Sequence, residues 1–314
     1  MPNDITAKLE EILGKGRVEK NKDLYPYLTL KTHTIAEFFF EANSQQDLIN
    51  VKRISLFNLP YFLMGGGSNL AMVTDRIKGL VVKNNYKKIE IINDNDKFTE
   101  ILATSGVAVS QLVNLTIEKG LEGLEYHKGL PGTVGGAIYM NSKWTKPLNY
   151  FGDWLLYAHI INSQAEVQKV DRKFFKFDYD FSFIQTSKDL VLEAVFHLKK
   201  ADPQLIKKRA DEAFEYRKKT QPFGRFSSGC FFKNISVNDR NKLKISSSSA
   251  GYLIEKAGLK GYQIGAFVVS DKHANFIINM GGGDPKDLLR LIEYVKNKVN
   301  NKFGVKLEEE VIIV

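Results

Sequence analysis

Gly129-Leu-Pro-Gly-Thr-Val-Gly-Gly-Ala137 places four glycines, a proline and a threonine in one short stretch. Proline fixes one turn, and glycine permits backbone angles that side chains close to other residues. Thr133 supplies a hydroxyl where exposed amides would otherwise face solvent. A second loop of similar composition, Gly65-Gly-Gly-Ser-Asn69, follows Pro60 to Met64, which reads as a strand. Glycines after a strand let main-chain amides approach a ligand, and Ser68 and Asn69 add polar contacts, a combination suited to a pyrophosphate. Two separated loops of this type suggest one extended ligand gripped from two sides; the alternative is two unrelated surface turns. Neither loop carries the Walker pattern or the alternating glycines of the dinucleotide fingerprint, so a classical Rossmann domain is not supported.

Around these loops the chain alternates short strands and helices. Asp4 to Leu13 reads as a helix, Leu28 to Leu30 and Ile35 to Glu41 as strands, and Ser44 as the cap of a helix. Val109 to Lys119 has helical periodicity, with Gly120 as its terminator. Leu155 to Ile161, Glu166 to Val170 and Leu190 to Leu198 read as strands. Asp202-Pro203 marks a hinge into a basic helix, and Asp287 to Phe303 forms an amphipathic helix with Leu288, Leu291, Ile292, Val295 and Val299 on one face.

With 314 residues the chain exceeds what one hydrophobic core usually organises. Its 43% apolar and 26% charged residues are ordinary globular material, and no run of about 18 apolar residues is present to span a membrane. The first twenty residues lack the continuous apolar stretch of a signal peptide. A single cysteine excludes a disulfide framework, so a cytoplasmic setting is expected. The net charge of +9 suits an anionic partner. Basic residues are densest from Lys199 to Lys219, on a helix with apolar positions near Leu205, Ala210, Ala213 and Phe214. No aromatic-interleaved base-stacking motif accompanies it, which favours a solvated helix face over nucleic-acid binding.

The lone cysteine stands in Ser227-Ser-Gly-Cys-Phe-Phe-Lys-Asn234. Cysteine is often an inert core residue and sometimes a reactive thiol, and the residues alone leave both open. The five histidines share no spacing that suggests a metal site.

Several motifs coincide in order: the two glycine loops, Gln221-Pro222, Gly229-Cys-Phe-Phe-Lys-Asn234, Ala257-Gly-Leu-Lys-Gly261, Val269-Ser-Asp-Lys-His-Ala-Asn-Phe276 and Leu307-Glu-Glu-Glu-Val311. Together they resemble the UDP-N-acetylenolpyruvoylglucosamine reductase family, over about Thr29 to Val311. The short span from Asn234 to Ala250 resembles the family's second type. The resemblance implies an α+β protein with an FAD-binding fold of the vanillyl-alcohol-oxidase (PCMH) type. Two flavin subdomains would occupy 1–84 and 85–202, an α/β substrate-binding domain 203–302, and a C-terminal strand 303–314. It implies FAD and NADPH as cofactors, a UDP-sugar as small-molecule substrate, no nucleic-acid or membrane partner, and a monomer.

Carried over position by position, the family's proton donor falls on Cys230 and its terminal glutamate on Glu310. Gly65, Gly66, Gly67, Ser68, Asn69, Ser105, Gly106, Pro131, Gly132, Thr133, Gly135, Gly136 and Ala137 would hold the flavin. Tyr179, Lys219, Asn234 and Glu255 would hold the substrate, with Lys218 able to fill the lysine role. One departure bears on the chemistry: the family's Tyr-Arg-x-Ser is Tyr179-Asp-Phe-Ser182, so Asp180 stands where an active-site arginine is expected. A carboxylate offers no positive charge to a developing enolate. Arg172, Lys143 and Lys146 are the candidate replacements; the alternatives are a related flavoprotein with another substrate, or a nucleotide-binding protein with lost turnover.

Overall fold

The computed structural model describes residues 2–57 and 59–314. Met1 and Asn58, inside the expected first flavin subdomain, lie outside the described residues. The chain forms two compact units, each assembled from separate segments: Met1–Lys22, Glu37–Gly66 and Lys78–Tyr216 in the first, Asp23–Ala36, Gly67–Ile77 and Arg217–Val314 in the second.

The first unit carries two sheets. One has the strand order Glu19–Asp23, Ile35–Ala42, Arg76–Asn84, Tyr61–Met64, the last pair parallel. Helix Gln45–Ile54 buries Leu48, Val51 and Ile54 with Phe38, Phe40, Leu80 and Val82. The sequence starts this helix where it does because Ser44 and Asp47 form a capping box: the Asp47 amide donates to Ser44 Oγ and the Ser44 amide to Asp47 Oδ2, both at 3.1 Å. The second sheet is antiparallel, ordered Val167–Asp171, Leu155–Ile161, Leu190–Lys200, Phe98–Thr104, Ile89–Asp94. Helix Val109–Glu118 lays Val109, Leu112 and Val113 into its core beside Ile101, Ala103 and Phe196.

In the second unit, helix Pro285–Phe303 buries Leu288, Leu291, Ile292, Val295 and Val299, the face read from its periodicity, in one core with Phe231, Phe232, Phe267 and Val269. Strands Gln263–Ile264, Phe267–Val269 and Ile277–Asn279 form a small antiparallel sheet, and Ile312–Ile313 runs parallel to Leu70–Ala71. No helix among the described residues is long and apolar enough to cross a membrane.

Three local expectations are corrected. Leu28 to Leu30 is not a strand; Leu28 and Leu30 are buried in irregular chain, and the Thr29 amide donates singly to the Gly67 carbonyl at 3.3 Å rather than entering a ladder. In helix Pro203–Thr220 the buried positions are Ile206, Ala210, Ala213 and Arg217, while Leu205 is exposed. The basic helix is therefore not wholly a solvated face, since Arg217 is only 7% exposed. Finally, the second half of the glycine-rich stretch is helical, over Val134–Met140.

Asp47 gives a pH-dependent stability test. Burial alone would raise its pKa, but hydrogen bonds from Arg17, at 2.6 Å, and from the Asn43 and Ser44 amides outweigh this and hold it below the ordinary value. Such a group stabilises the fold fully above its unfolded pKa of about 4 and loses the contribution as pH falls through the lower folded value. Asp47→Ala is expected to cost about 2 kcal/mol in urea unfolding at pH 7. The gap from wild type should narrow steadily below pH of about 4. A gap independent of pH would show that the carboxylate charge contributes nothing.

Candidate active site

In the first unit the glycine loops meet backbone to backbone. A Cβ on Gly66 would stand 2.7 Å from Gly132 Cα, and one on Gly65 2.3 Å from Thr133 Oγ1. A Cβ on Gly106 would lie 2.5 Å from the Tyr86 carbonyl oxygen, and one on Gly135 2.8 Å from Ser105 Cβ. These approaches leave no room for a side chain, so Gly65, Gly66, Ser105, Gly106, Gly132, Thr133 and Gly135 form one surface of main chain. Glycine there lets main chain approach a diphosphate closely, and the fit to FAD rests on that closeness, since the Ser105, Gly106 and Gly135 amides already donate to the Leu192, Tyr86 and Ser105 carbonyls.

Only Gly129 (φ +80°) and Gly132 (φ +107°) of the later stretch use the left-handed region. Gly135 and Gly136 are helical, and Gly135 is required by the closeness of Ser105 rather than by an unusual angle. Thr133 caps helix Val134–Met140, its hydroxyl accepting from the Gly136 amide at 3.4 Å. Pro131 and Gly136 are exposed on this surface and Ala137 is buried beneath it. Beneath the first loop, Lys83 donates to the Gly65 carbonyl, and burial lowers the Lys83 pKa. Asn84 Nδ2 donates to Ser105 Oγ at 2.8 Å. Neither Lys83 nor Asn84 stood out in the sequence.

The first unit also places Asp180. It is buried at 4% exposure with φ +50°, and Lys143 Nζ lies 2.5 Å from its Oδ1 and 3.8 Å from the centroid of the Tyr179 ring. Of the three candidate cations only Lys143 meets Asp180. Arg172 bonds the Gly152 carbonyl and Asp153, and Lys146 donates to the Tyr216 hydroxyl at 3.0 Å.

In the second unit, Gly67 takes φ +64°, where a Cβ would lie 2.1 Å from the Tyr27 carbonyl oxygen. The adjoining Asn69 is tied to the C-terminal strand: its Nδ2 donates to the Glu310 carbonyl at 3.4 Å and its own carbonyl accepts from the Ile312 amide at 3.0 Å. The cysteine segment lies on the same strand end. The Glu310 amide donates to the Phe231 carbonyl at 2.9 Å, Phe232 pairs with Glu309, and Ser228 Oγ donates to the Leu70 carbonyl at 2.6 Å. On its other side Cys230 pairs with Phe276, while Asn275 bonds Phe231 and Phe232. Strand pairing thus brings together Asn69, the cysteine segment and Glu310, which the sequence scatters.

Cys230 is half-buried. Burial pushes the Arg217 guanidinium down to about 10, with Cys230 pulling the other way. Arg217 therefore keeps its charge at neutral pH. Asn234 Oδ1 accepts from the Ala250 amide at 3.2 Å, at the start of helix Ala250–Lys256. Glu255 is exposed on that helix in a 2.9 Å ion pair with Lys260, and Lys219 is exposed at the end of Pro203–Thr220. His273 sits nearby on the Ser270–Asn275 turn, and burial lowers its pKa. Among the described residues no group of His, Cys, Asp and Glu side chains is placed to hold a metal.

Residues 36–171 match the FAD binding domain, and residues 221–314 the C-terminal domain of UDP-N-acetylenolpyruvoylglucosamine reductase. The reductase of that name from Caldanaerobacter subterraneus subsp. tengcongensis is 33% identical over 100% of this chain and 99% of its own. The Bacillus subtilis reductase is 32% identical over 95% and 94%. Among solved structures, UDP-N-acetylenolpyruvylglucosamine reductase from Thermus caldophilus superposes with a TM-score of 0.78 at 27% identity, covering 95% of this chain and 98% of that one. A p-cresol methylhydroxylase, 11% identical, matches at a TM-score of 0.55 and supports the fold alone. The chain belongs to the UDP-N-acetylenolpyruvoylglucosamine reductase family, FAD-dependent oxidoreductases on the vanillyl-alcohol-oxidase type of α+β flavin fold.

Proposed function

We propose that the protein reduces the enolpyruvyl ether of UDP-N-acetylglucosamine to the lactyl ether, UDP-N-acetylmuramate, with NADPH as reductant, in peptidoglycan precursor synthesis. Bound FAD supplies the two-electron relay between NADPH and the vinyl carbon of the ether. The glycine loops at Gly65, Gly66, Gly106, Gly132 and Gly135 in the first unit would hold it.

Hydride delivered to the terminal carbon moves charge onto the substrate carboxylate as an enolate, and the adjacent carbon then needs a proton. Cys230 provides that proton. A thiol, with an ordinary pKa of about 8.5, gives up its proton far more readily than an alcohol. Glu310 stands on the paired strand end as the enolate-side partner, and Arg217 carries a positive charge at neutral pH that interacts with the thiol. One proton from solvent restores the thiol in each cycle. Lys219, Asn234 and Glu255 serve the nucleotide sugar, within a substrate domain at 203–302. The protein acts as a cytoplasmic monomer on this small molecule.

The observation that carries the proposal is the pairing that sets Cys230 and Glu310 on adjoining strand ends next to Asn69. Without oxygen, the FAD-loaded protein should consume NADPH beyond the single equivalent that reduces its flavin only when the enolpyruvyl nucleotide is present. Consumption independent of that nucleotide would favour another substrate, and flavin binding with no NADPH consumption a nucleotide-binding role.

A further inference from the structure

A cation drawn out of water destabilises a fold unless an anion pairs with it. Lys83, on strand Arg76–Asn84, is half-buried, and among the described residues it makes no ion pair. Its ammonium donates to the Gly65 carbonyl. Burial, with Lys87, lowers its pKa, and Glu41 pulls the other way. A methionine of similar length would fill the same space without that cost, so packing alone gives no reason for an ammonium here.

The adjoining loop supplies one, and every residue concerned lies in the first unit. Strand Tyr61–Met64 runs parallel to Arg76–Asn84 with Met64 opposite Lys83, which sets the lysine where the strand gives way to Gly65. The Gly65–Gly66 peptide is trans, so its carbonyl and its amide point in opposite directions. With the carbonyl held by Lys83, the Gly66 amide faces away from the ammonium. Among the described residues that amide donates to no acceptor, whereas the Ser105, Gly106 and Gly135 amides donate to carbonyls of the protein. A cation on the carbonyl oxygen also polarises the peptide, which makes the N–H at its other end a stronger donor.

We infer that Lys83 is a positioning residue for the cofactor: it orients and polarises the Gly65–Gly66 peptide so that the Gly66 amide is presented to the FAD diphosphate. The inference rests on the proposed seating of FAD on the glycine loops and deepens it. In this role Lys83 touches the peptide and not the flavin. The cost of its half-burial is offset when an anion arrives at the far end of the peptide. Replacing the ammonium should therefore weaken FAD binding while leaving the flavin-free protein no less stable.

The test compares wild type, Lys83→Met, Lys83→Gln and Gly66→Ala as full-length proteins. Urea unfolding at graded FAD concentrations separates intrinsic stability from affinity, because a ligand adds stability in step with the logarithm of its concentration over Kd. Lys83→Met should lose at least about 10-fold in FAD affinity, and its unfolding midpoint extrapolated to no FAD should equal or exceed that of wild type. Lys83→Gln, which keeps a neutral donor, should lose at least about five-fold, and it decides the matter if Lys83→Met does not fold. At saturating FAD, the Gly66 amide proton should resonate further upfield in Lys83→Met than in wild type, because its hydrogen bond is weaker. Wild-type affinity in both lysine variants would overturn the inference. So would an unmoved Gly66 resonance, or a loss of affinity matched by a lower midpoint without FAD, which would make Lys83 a support of the fold. Gly66→Ala protein that binds FAD as wild type does would overturn the seating of FAD on these loops, and this inference with it. Lost binding in Gly66→Ala together with wild-type binding in Lys83→Met would overturn the inference alone.

Discussion

Cys230→Ala protein is expected to load with FAD and be reduced by NADPH at the wild-type rate, yet to be reoxidised by the enolpyruvyl nucleotide at least about 100-fold more slowly. The size follows from the role: a positioned general acid contributes about 10²–10⁴ in rate, and no other thiol exists in the chain to replace it. The substitution leaves the segment's main-chain ties intact, since Phe231, Phe232 and Glu310 pair through backbone atoms. Loss of folding therefore does not accompany loss of the proton. Cys230→Ser keeps a proton on the same atom position and should recover much of the rate. Stopped-flow absorbance of the flavin separates the two half-reactions. Equal reoxidation in wild type and Cys230→Ala would return the cysteine to the class of inert buried thiols.

Gly66→Ala should abolish flavin binding. The added methyl would sit 2.7 Å from Gly132 Cα and 3.2 Å from its carbonyl carbon, and backbone cannot rotate aside as a side chain can. The two loops must part, which breaks the surface that approaches the diphosphate. Purified variant should be colourless, with affinity for added FAD lower by at least about 100-fold and stability lower by about 2 kcal/mol. A yellow, stoichiometrically loaded Gly66→Ala protein would mean that the loop contact does not shape the cofactor site.

Much of the fold was legible because local chemistry and burial agree. Ser44 with Asp47 announces a helix start, and Leu288, Leu291, Ile292, Val295 and Val299 announce one buried face. What was not legible depended on long-range closure. Leu28 and Leu30 look like strand residues, but their surroundings bury them without a ladder partner. Gly135 looks like another flexible turn residue, but it is helical and small because Ser105 presses against it.

The site divides in the same way. The glycine loops could be picked out by residue type and order, whereas Cys230 and Glu310 were singled out only through the family resemblance, since a lone thiol and one of three adjacent carboxylates have ordinary structural readings. Lys143 was one of three candidates, with Arg172 and Lys146, to replace the missing arginine's charge, since nothing in the sequence says which cation crosses to a turn that closes through Asn141, Ser182 and Gln185. Arg217 was hidden in a basic run, where its buried position on the helix could not be told from its exposed neighbours. Lys83 bonds a loop carbonyl from beneath, a contact that only strand pairing creates.

The central claim is a hydride and a proton added across the enolpyruvyl double bond. A single-turnover experiment tests it: the flavin of the wild-type protein is reduced with one equivalent of NADPH without oxygen, then mixed with the enolpyruvyl nucleotide. The account predicts rapid return of the oxidised flavin absorbance and a nucleotide sugar heavier by two hydrogens. Flavin that stays reduced, with the nucleotide recovered unchanged, would contradict it.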